Sequence, residues 1–190
     1  MRQAFHFLGQ AAVNWRQTGA IAPSSRRLAR AMAEAVGDAS AGSVIMELGP
    51  GSGCVTEALR NRFPQCRVLA IENNASFAER LAERMPSVPI IHGCASALPT
   101  HLSQTGLAGH EIAAVVSGLP LLSLDPVLVE SILASVRQVL KPGGRFIQFT
   151  YSERAFSRLT PSGFRSGSRR RIWLNVPPAV VLSFVRTNSK

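Results

Sequence analysis

Short runs of branched apolar residues recur along this chain, each followed by an amphipathic stretch, and the turns between them hold glycine, proline or an acid. Val44, Ile45 and Met46 form one such run, which predicts a strand buried on both faces, as in a parallel sheet covered by helices. A helix follows over Ser52–Arg62, its end marked by Phe63-Pro64, and Arg67–Ile71 is a second buried strand closed by Glu72. Ala75–Met85 reads as a helix with Phe77, Ala78, Leu81 and Met85 inward, and Val88–His92 as a third strand. Pro99–Gly109 is a loop or short helix, in which His101 and His110 read as surface residues. Ile112–Ser117 is a fourth strand. Asp125 caps a helix with Pro126 at its first position, running to Leu140, and Lys141-Pro142-Gly143-Gly144 ends it ahead of a fifth strand, Arg145–Tyr151. After a short connection, Arg170–Asn175 and Ala179–Arg186 alternate as two further strands around Val176-Pro177-Pro178. Strands alternating with helices predict an α/β doubly wound sheet.

The amino-terminal stretch carries a different pattern. Ala4, Leu8, Ala11, Ala12 and Trp15 make one apolar stripe over Met1–Gln17, flanked by Phe5 and Phe7, with cations and no acids on the other faces. Helices of this kind lie in a membrane interface; the competing explanation is a helix packed on its own domain. Gly19–Pro23 breaks it, and Ser24 or Ser25 is expected to cap a helix over Arg26–Val36, stopped by Gly37. A capped start with Arg26 in its first turn offers amides and a guanidinium to a phosphate, although the serine also serves as a plain cap.

With 190 residues and 46% apolar content, one full core is available, so residues 1–18 are taken as an interface helix and 19–190 as one domain. Cys54, Cys66 and Cys94 are widely spaced and show no zinc or disulfide pattern, which points to a reducing, cytoplasmic compartment and to no metal. No stretch is long and apolar enough to span a bilayer. The net charge of +10 and a pI near 11.3 call for an anionic partner. Its distribution narrows that partner. Residues 1–33 hold Arg2, Arg16, Arg26, Arg27 and Arg30 without an acid, and the carboxyl end sets Arg154, Arg158, Arg165, Arg169, Arg170, Arg171, Arg186 and Lys190 against Glu153.

Candidate chemistry centres on Val44–Gly53 (VIMELGPGSG) and Glu72. Gly49, Gly51 and Gly53 let a backbone pass close to a ligand, and Pro50 and Asn73 sit in the flanking turns. Glu72, about 20 residues past the glycines at the end of the second strand, is placed to bond ribose hydroxyls. Glu47 ahead of the glycines would repel a pyrophosphate and suits a cationic ligand; S-adenosylmethionine, with its sulfonium and ammonium, is one. A glycine turn needed only for strand-to-helix packing is the bland alternative. The set Glu47, Gly49, Gly51, Gly53 and Glu72 resembles the class I S-adenosylmethionine-dependent methyltransferases, whose first motif is E/D-x-G-x-G-x-G. The resemblance implies a Rossmann-like seven-stranded sheet, mostly parallel with an antiparallel carboxyl-terminal strand pair. It also implies adenine contacts after the third strand, where the family often has Gly-Asp and this chain has Gly93-Cys94, leaving recognition to backbone near Cys94 and Ala95 or to a polar residue elsewhere.

Further motifs narrow the resemblance to the bacterial phospholipid N-methyltransferases of the rhizobial type: Gly19–Ser25, Ser117-Gly118-Leu119-Pro120, Gln148-Phe149-Thr150-Tyr151 and Trp173–Ala179. That resemblance implies methylation of phosphatidylethanolamine and its mono- and dimethyl forms toward phosphatidylcholine, by an enzyme bound reversibly to the anionic inner face of the cell membrane; the sequence leaves the oligomeric state open, with a monomer expected. Tyr151 would orient or deprotonate the amine, the Ser117, Gly118 and Leu119 carbonyls would hold the ammonium, and Ser24, Ser25, Arg26, Arg169, Arg170 and Arg171 would bind the lipid phosphate. The glycine loop with Val55–Leu59 also resembles the rRNA adenine dimethyltransferases. Those carry N-x-P-Y at the fourth strand, to bond and stack a flipped base, where this chain has Ser117 and Leu121, so no nucleic acid is expected. A catalytically silent membrane-surface or RNA-binding protein of the same fold is the remaining alternative.

Overall fold

The computed structural model describes residues 23–156, 161–175 and 177–188; the helix expected over residues 1–17 lies outside them. In chain order the elements are α1 (Pro23–Ala35), β1 (Val44–Leu48), α2 (Cys54–Arg62), β2 (Arg67–Glu72), α3 (Ala75–Arg84), β3 (Ile90–His92), α4 (Leu98–Gln104), β4 (Ile112–Ser117), α5 (Pro126–Val139), β5 (Arg145–Thr150), α6 (Glu153–Phe156), β6 (Phe164–Ile172) and β7 (Ala179–Arg186). The strands form one seven-stranded sheet in the order β3-β2-β1-β4-β5-β7-β6. β3 through β5 pair in parallel, and β7 runs antiparallel between β5 and β6, as the strand pattern leads one to expect.

Alternation within each strand builds two cores. Val44, Met46, Leu48, Leu69, Ile71, Val115 and Phe146 face one side, against Leu98 and Leu102 of α4 and Val129, Ile132 and Val136 of α5. Ile45, Val68, Ala70, Ala114, Val116 and Ile147 face the other, against Leu28, Met32 and Val36 of the first helical segment and Leu59 and Phe63 of the second. Strands apolar at every position are thus explained by cover on both faces.

Two elements depart furthest from the sequence pattern. β6 begins at Phe164 rather than Arg170 and ends at Ile172, because an exposed edge strand needs only its two buried ends, Phe164 and Ile172, to be apolar. Its register also shifts between Ser166 and Arg169, where Gly167 passes so close to Ser183 that a Cβ would lie 2.5 Å from its Oγ. α1 begins at Pro23, so Ser24 and Ser25 fall inside its first turn and neither is the cap expected of them. Proline is favoured in that first turn because its missing N–H has no helical partner there.

The topology gathers functional segments at one end. The carboxyl ends of β1, β2, β4 and β5 lie side by side. Thr150 pairs with Val180, and Val180 with Arg171, so the turn joining β6 to β7 lies at that same end. At the opposite end Arg145, which opens β5, donates from Nη1 to the Ala35 carbonyl at the close of α1 (3.5 Å). α1 therefore runs against the strands, with its start toward the gathered end.

Candidate active site

At the exit of β1 the chain turns through Gly49, Gly51 and Gly53, with φ of 67°, 51° and 75°. That left-handed backbone is inexpensive for glycine and strained for other residues. Gly53 is also closely packed: a Cβ there would lie 2.5 Å from Leu81 Cδ1 and 2.6 Å from Arg84 Nη2. Arg84 also donates to the Ser52 carbonyl, so α3 clamps the loop from outside. The Gly49 amide donates to the Ile71 carbonyl (2.9 Å) and the Gly53 amide to Pro50 (2.8 Å), which fixes the turn against β2.

Glu72 locks the glycine loop to the turn between β2 and α3. Its Oε2 accepts from the Gly51 amide (3.1 Å) and its Oε1 from the Asn74 amide (3.0 Å), while Asn74 caps α3 through the Phe77 amide (3.1 Å). Each oxygen retains a lone pair, so a diol can still be bonded. Glu47 is 1% exposed, and strand alternation places it on the same face of the sheet as Glu72. Two buried carboxyl groups lie beside the glycine-rich loop, and a cationic ligand there would offset the cost of burying them charged. Asn73 is exposed in the turn after Glu72.

The Gly93–Ala95 segment is held by a histidine that the sequence pattern assigns to the surface. His101 is half-buried and its Nε2 donates to the Cys94 carbonyl (3.0 Å). Its ring lies so close over Gly93 that a Cβ would stand 2.4 Å from Cε1. The Gly93 amide donates to the Glu72 carbonyl (2.9 Å), the Cys94 Sγ accepts from Ser96 Oγ (3.1 Å), and Ala95 is buried. This segment therefore presents backbone, with no acid, beside Glu72.

Across the crevice, Ser117 is fully buried at the end of β4, with its Oγ accepting from the Leu119 amide (3.3 Å). The Gly118 amide donates to the Leu48 carbonyl (2.8 Å), pinning this turn to the entrance of the glycine loop. Gln148, a residue given no role by its spacing, is 1% exposed and donates from Nε2 to the Leu119 carbonyl (3.0 Å) and the Phe149 carbonyl (2.8 Å). Tyr151 follows β5, half-buried and edge-on to Phe149 at 5.5 Å between centroids. The segment Ser117–Leu119, the glycine loop, Glu47, Glu72 and Tyr151 are thus brought to one end of the sheet.

The basic candidates lie around that end. Arg169 and Arg171 pair with Glu153, the latter at 3.4 Å, and Arg170 pairs with Glu34. Through β7 they stand level with Gln148, Phe149 and Thr150, about 10 Å from β5 at ordinary strand spacing. Arg26 is exposed in the first turns of α1. Among the described residues, no helix is long and apolar enough to cross a membrane.

The chain is similar to known proteins in sequence and in fold. Residues 45–144 match the methyltransferase domain family. An ornithine lipid N-methyltransferase from Singulisphaera acidiphila is 32% identical over 183 residues, 94% of this chain and 94% of that protein. A ribosomal RNA small subunit methyltransferase A from Acidobacterium capsulatum is 34% identical over 111 residues, 57% of this chain and 37% of that protein. Among solved structures, the N-methyltransferase NodS from Bradyrhizobium japonicum WM9, in complex with S-adenosyl-L-homocysteine, superposes with a TM-score of 0.68 at 16% identity, covering 87% of this chain and 89% of that one.

Proposed function

The chain belongs to the methyltransferase domain family and uses S-adenosylmethionine, and from that premise we propose that it N-methylates the amine headgroup of a membrane lipid. The observation that carries this reading is the match to a lipid N-methyltransferase along 94% of both chains. Phosphatidylethanolamine and its mono- and dimethyl forms are the acceptors we assign, on the motifs Ser117–Pro120, Gln148–Tyr151 and Trp173–Ala179. A second amine lipid, built on ornithine, is the acceptor named for that relative and is the alternative at the same site.

When bound, S-adenosylmethionine would supply an electrophilic methyl group on its sulfonium to the neutral amine of the acceptor, with the thioether of S-adenosylhomocysteine as leaving group and the amine's proton lost to solvent. Glu47, Gly49, Pro50, Gly51 and Gly53 would hold the sulfonium-bearing chain, Glu72 and Asn73 the ribose, and the backbone at Cys94 and Ala95 the adenine. The Ser117, Gly118 and Leu119 carbonyls would hold the acceptor amine against them, with Gln148 fixing the Leu119 carbonyl through its hydrogen bond. Tyr151 Oη would orient the amine and pass its proton to solvent. Headgroup anions would rest on Arg169, Arg170 and Arg171 and on the start of α1 at Ser24, Ser25 and Arg26. The contribution of these groups is positioning, which alone supplies a large part of a two-substrate rate.

The ribosomal RNA relative matches over 37% of its length, and the β4 exit Ser117-Gly118-Leu119-Pro120 lacks the amide or acid and the aromatic that would bond and stack a flipped base. The deciding experiment is transfer from labelled S-adenosylmethionine to vesicles of phosphatidylethanolamine, or of an ornithine lipid, mixed with an anionic lipid. Wild type is expected to label the lipid, and Glu47→Ala to lose at least about a hundredfold, as when one member of a buried charge pair is removed. Tight cofactor binding with no labelled lipid would overturn the reading and move the acceptor to RNA. Failure to bind the cofactor would indicate a silent relative.

A further inference from the structure

Among the described residues the large hydrophobic side chains that stand exposed are Val127, Trp173 and Leu174, at 72%, 69% and 67%. Val127 is far from the other two in sequence, yet all three lie at one end of the molecule. Trp173 and Leu174 are in the turn joining β6 to β7, which the pairing of Arg171, Val180 and Thr150 places at the carboxyl ends of the central strands. Val127 is at the start of α5, which begins after the exit of β4 and so opens toward the same end.

The β6–β7 turn is built to present these side chains. Asn175, fully buried, donates from Nδ2 to the Pro177 carbonyl (2.7 Å), and its amide reaches the Ile172 carbonyl (3.4 Å). The Arg171 guanidinium lies 5.0 Å over the Trp173 ring. Toward that end of β6, Arg169, Arg170 and Arg171 are exposed, and the acids paired to them are Glu153 and Glu34, so the edge stays cationic there. An exposed tryptophan beside leucine, backed by arginines, is the composition of a surface that sits at a bilayer interface, where the ring takes the headgroup level and the cations meet anionic lipid.

We propose that this end of the molecule is a membrane-docking face, with Trp173 and Leu174 as the inserted tip, the β6 arginines on anionic headgroups, and an anionic lipid bilayer as the partner. The proposal rests on the lipid-methylating reading and deepens it. A bilayer met by this face places amine headgroups at the mouth of the crevice formed by Ser117–Leu119 and the glycine loop, so the acceptor need not leave the membrane.

The test uses the full chain with Trp15→Phe, which leaves Trp173 as the one tryptophan. On phosphatidylglycerol vesicles its emission should shift to the blue and become protected from an aqueous quencher, and far less so on phosphatidylcholine vesicles. Trp173→Ala with Leu174→Ala should weaken vesicle binding by about tenfold to a hundredfold, the loss expected when these side chains no longer leave water. Cofactor affinity should be unchanged, and Trp173→Phe should restore most of the binding. Unshifted emission on vesicles, or wild-type vesicle affinity in the double variant, would overturn the docking face. So would a shift produced by raising protein concentration alone, which would assign the face to a second copy, or by RNA alone. Insertion without labelling of any amine lipid would uphold the face and sink the proposed acceptor. Labelled vesicles without insertion would do the reverse.

Discussion

The two walls of the crevice treat charge in opposite ways. On the β1–α2–β2 side the charges are buried acids: Glu47 is 1% and Glu72 6% exposed, and Glu72 is satisfied by the amides of Gly51 and Asn74. On the β6–β7 side they are exposed arginines, satisfied partly by Glu153 and Glu34 across the surface. A buried carboxylate is tolerated only with fixed donors around it, so the first wall is rigid and suited to one small cationic ligand. Exposed guanidinium groups are hydrated and interchangeable, so the second wall suits an extended anionic surface on which no single contact is decisive. A rigid wall should fail at one atom, and a diffuse wall by degrees.

The most damaging single change should therefore lie in the glycine loop. Gly53→Val adds side-chain atoms where a Cβ alone would meet Leu81 and Arg84 at 2.5 and 2.6 Å, at a φ of 75°. Left-handed strain and overpacking together should cost about 2–4 kcal/mol of stability. For a domain of this size that lowers the melting temperature by about 5–15 °C. Cofactor binding by calorimetry should fall below detection even at temperatures where the variant is folded. Wild-type affinity in Gly53→Val would break the comparison, because it would mean that the first wall yields as easily as the second.

The diffuse wall should respond differently. Replacing Arg169, Arg170 and Arg171 together by Gln removes surface ion pairs worth less than about 1 kcal/mol each, so the melting temperature should move little. Cofactor affinity should stay within about twofold, because nothing in the first wall depends on these groups. Binding to anionic vesicles at low salt should drop by about a hundredfold, at about 1 kcal/mol per arginine near the membrane surface, and should lose most of its salt dependence. Each single replacement should give a small fraction of that change. One arginine that alone reproduced the triple loss would show a specific headgroup contact rather than a diffuse field.

The same contrast governs how much could be anticipated from the chain. Val44–Gly53 and Glu72 were legible because burial on both faces demands an unbroken apolar strand, and because three closely spaced glycines have few uses other than a left-handed turn. Asp125 likewise caps α5, accepting from the Val127 and Leu128 amides at 2.9 and 3.3 Å. β6 was only partly legible, since an edge strand with exposed arginines and a bulge at Gly167 carries no period-two signal between its buried ends. The long-range contacts of Gln148 and His101 were not legible at all. Gln148 bonds a carbonyl 29 residues away, and His101 covers Gly93 from α4, so both roles follow from the packing of separate elements. The pairing of Gly93 with an overlying ring leaves only a weak trace in sequence, a glycine at the end of a strand.

The smallest expected effect also probes where the two walls meet. Asn175→Ala removes the donor to the Pro177 carbonyl, leaving that acceptor for water. The Asn175 Oδ1 is itself buried with no partner among the described residues, so its loss relieves part of the cost, and the net destabilisation should be about 1 kcal/mol. Trp173 and Leu174 remain exposed but lose the fixed turn that presents them, so vesicle affinity should fall by only about two- to fivefold, an entropic rather than a contact loss. Asn175→Asp should be worse in both respects, because a carboxylate oxygen would then face the Pro177 carbonyl. Vesicle binding and cofactor binding measured side by side read out the two walls separately. If Asn175→Ala lowers cofactor affinity as well, the strain passes from Ala179 through β7 to Thr150 and the crevice, and the walls form one unit; if it leaves cofactor affinity untouched, β7 insulates the pocket from the surface that docks it.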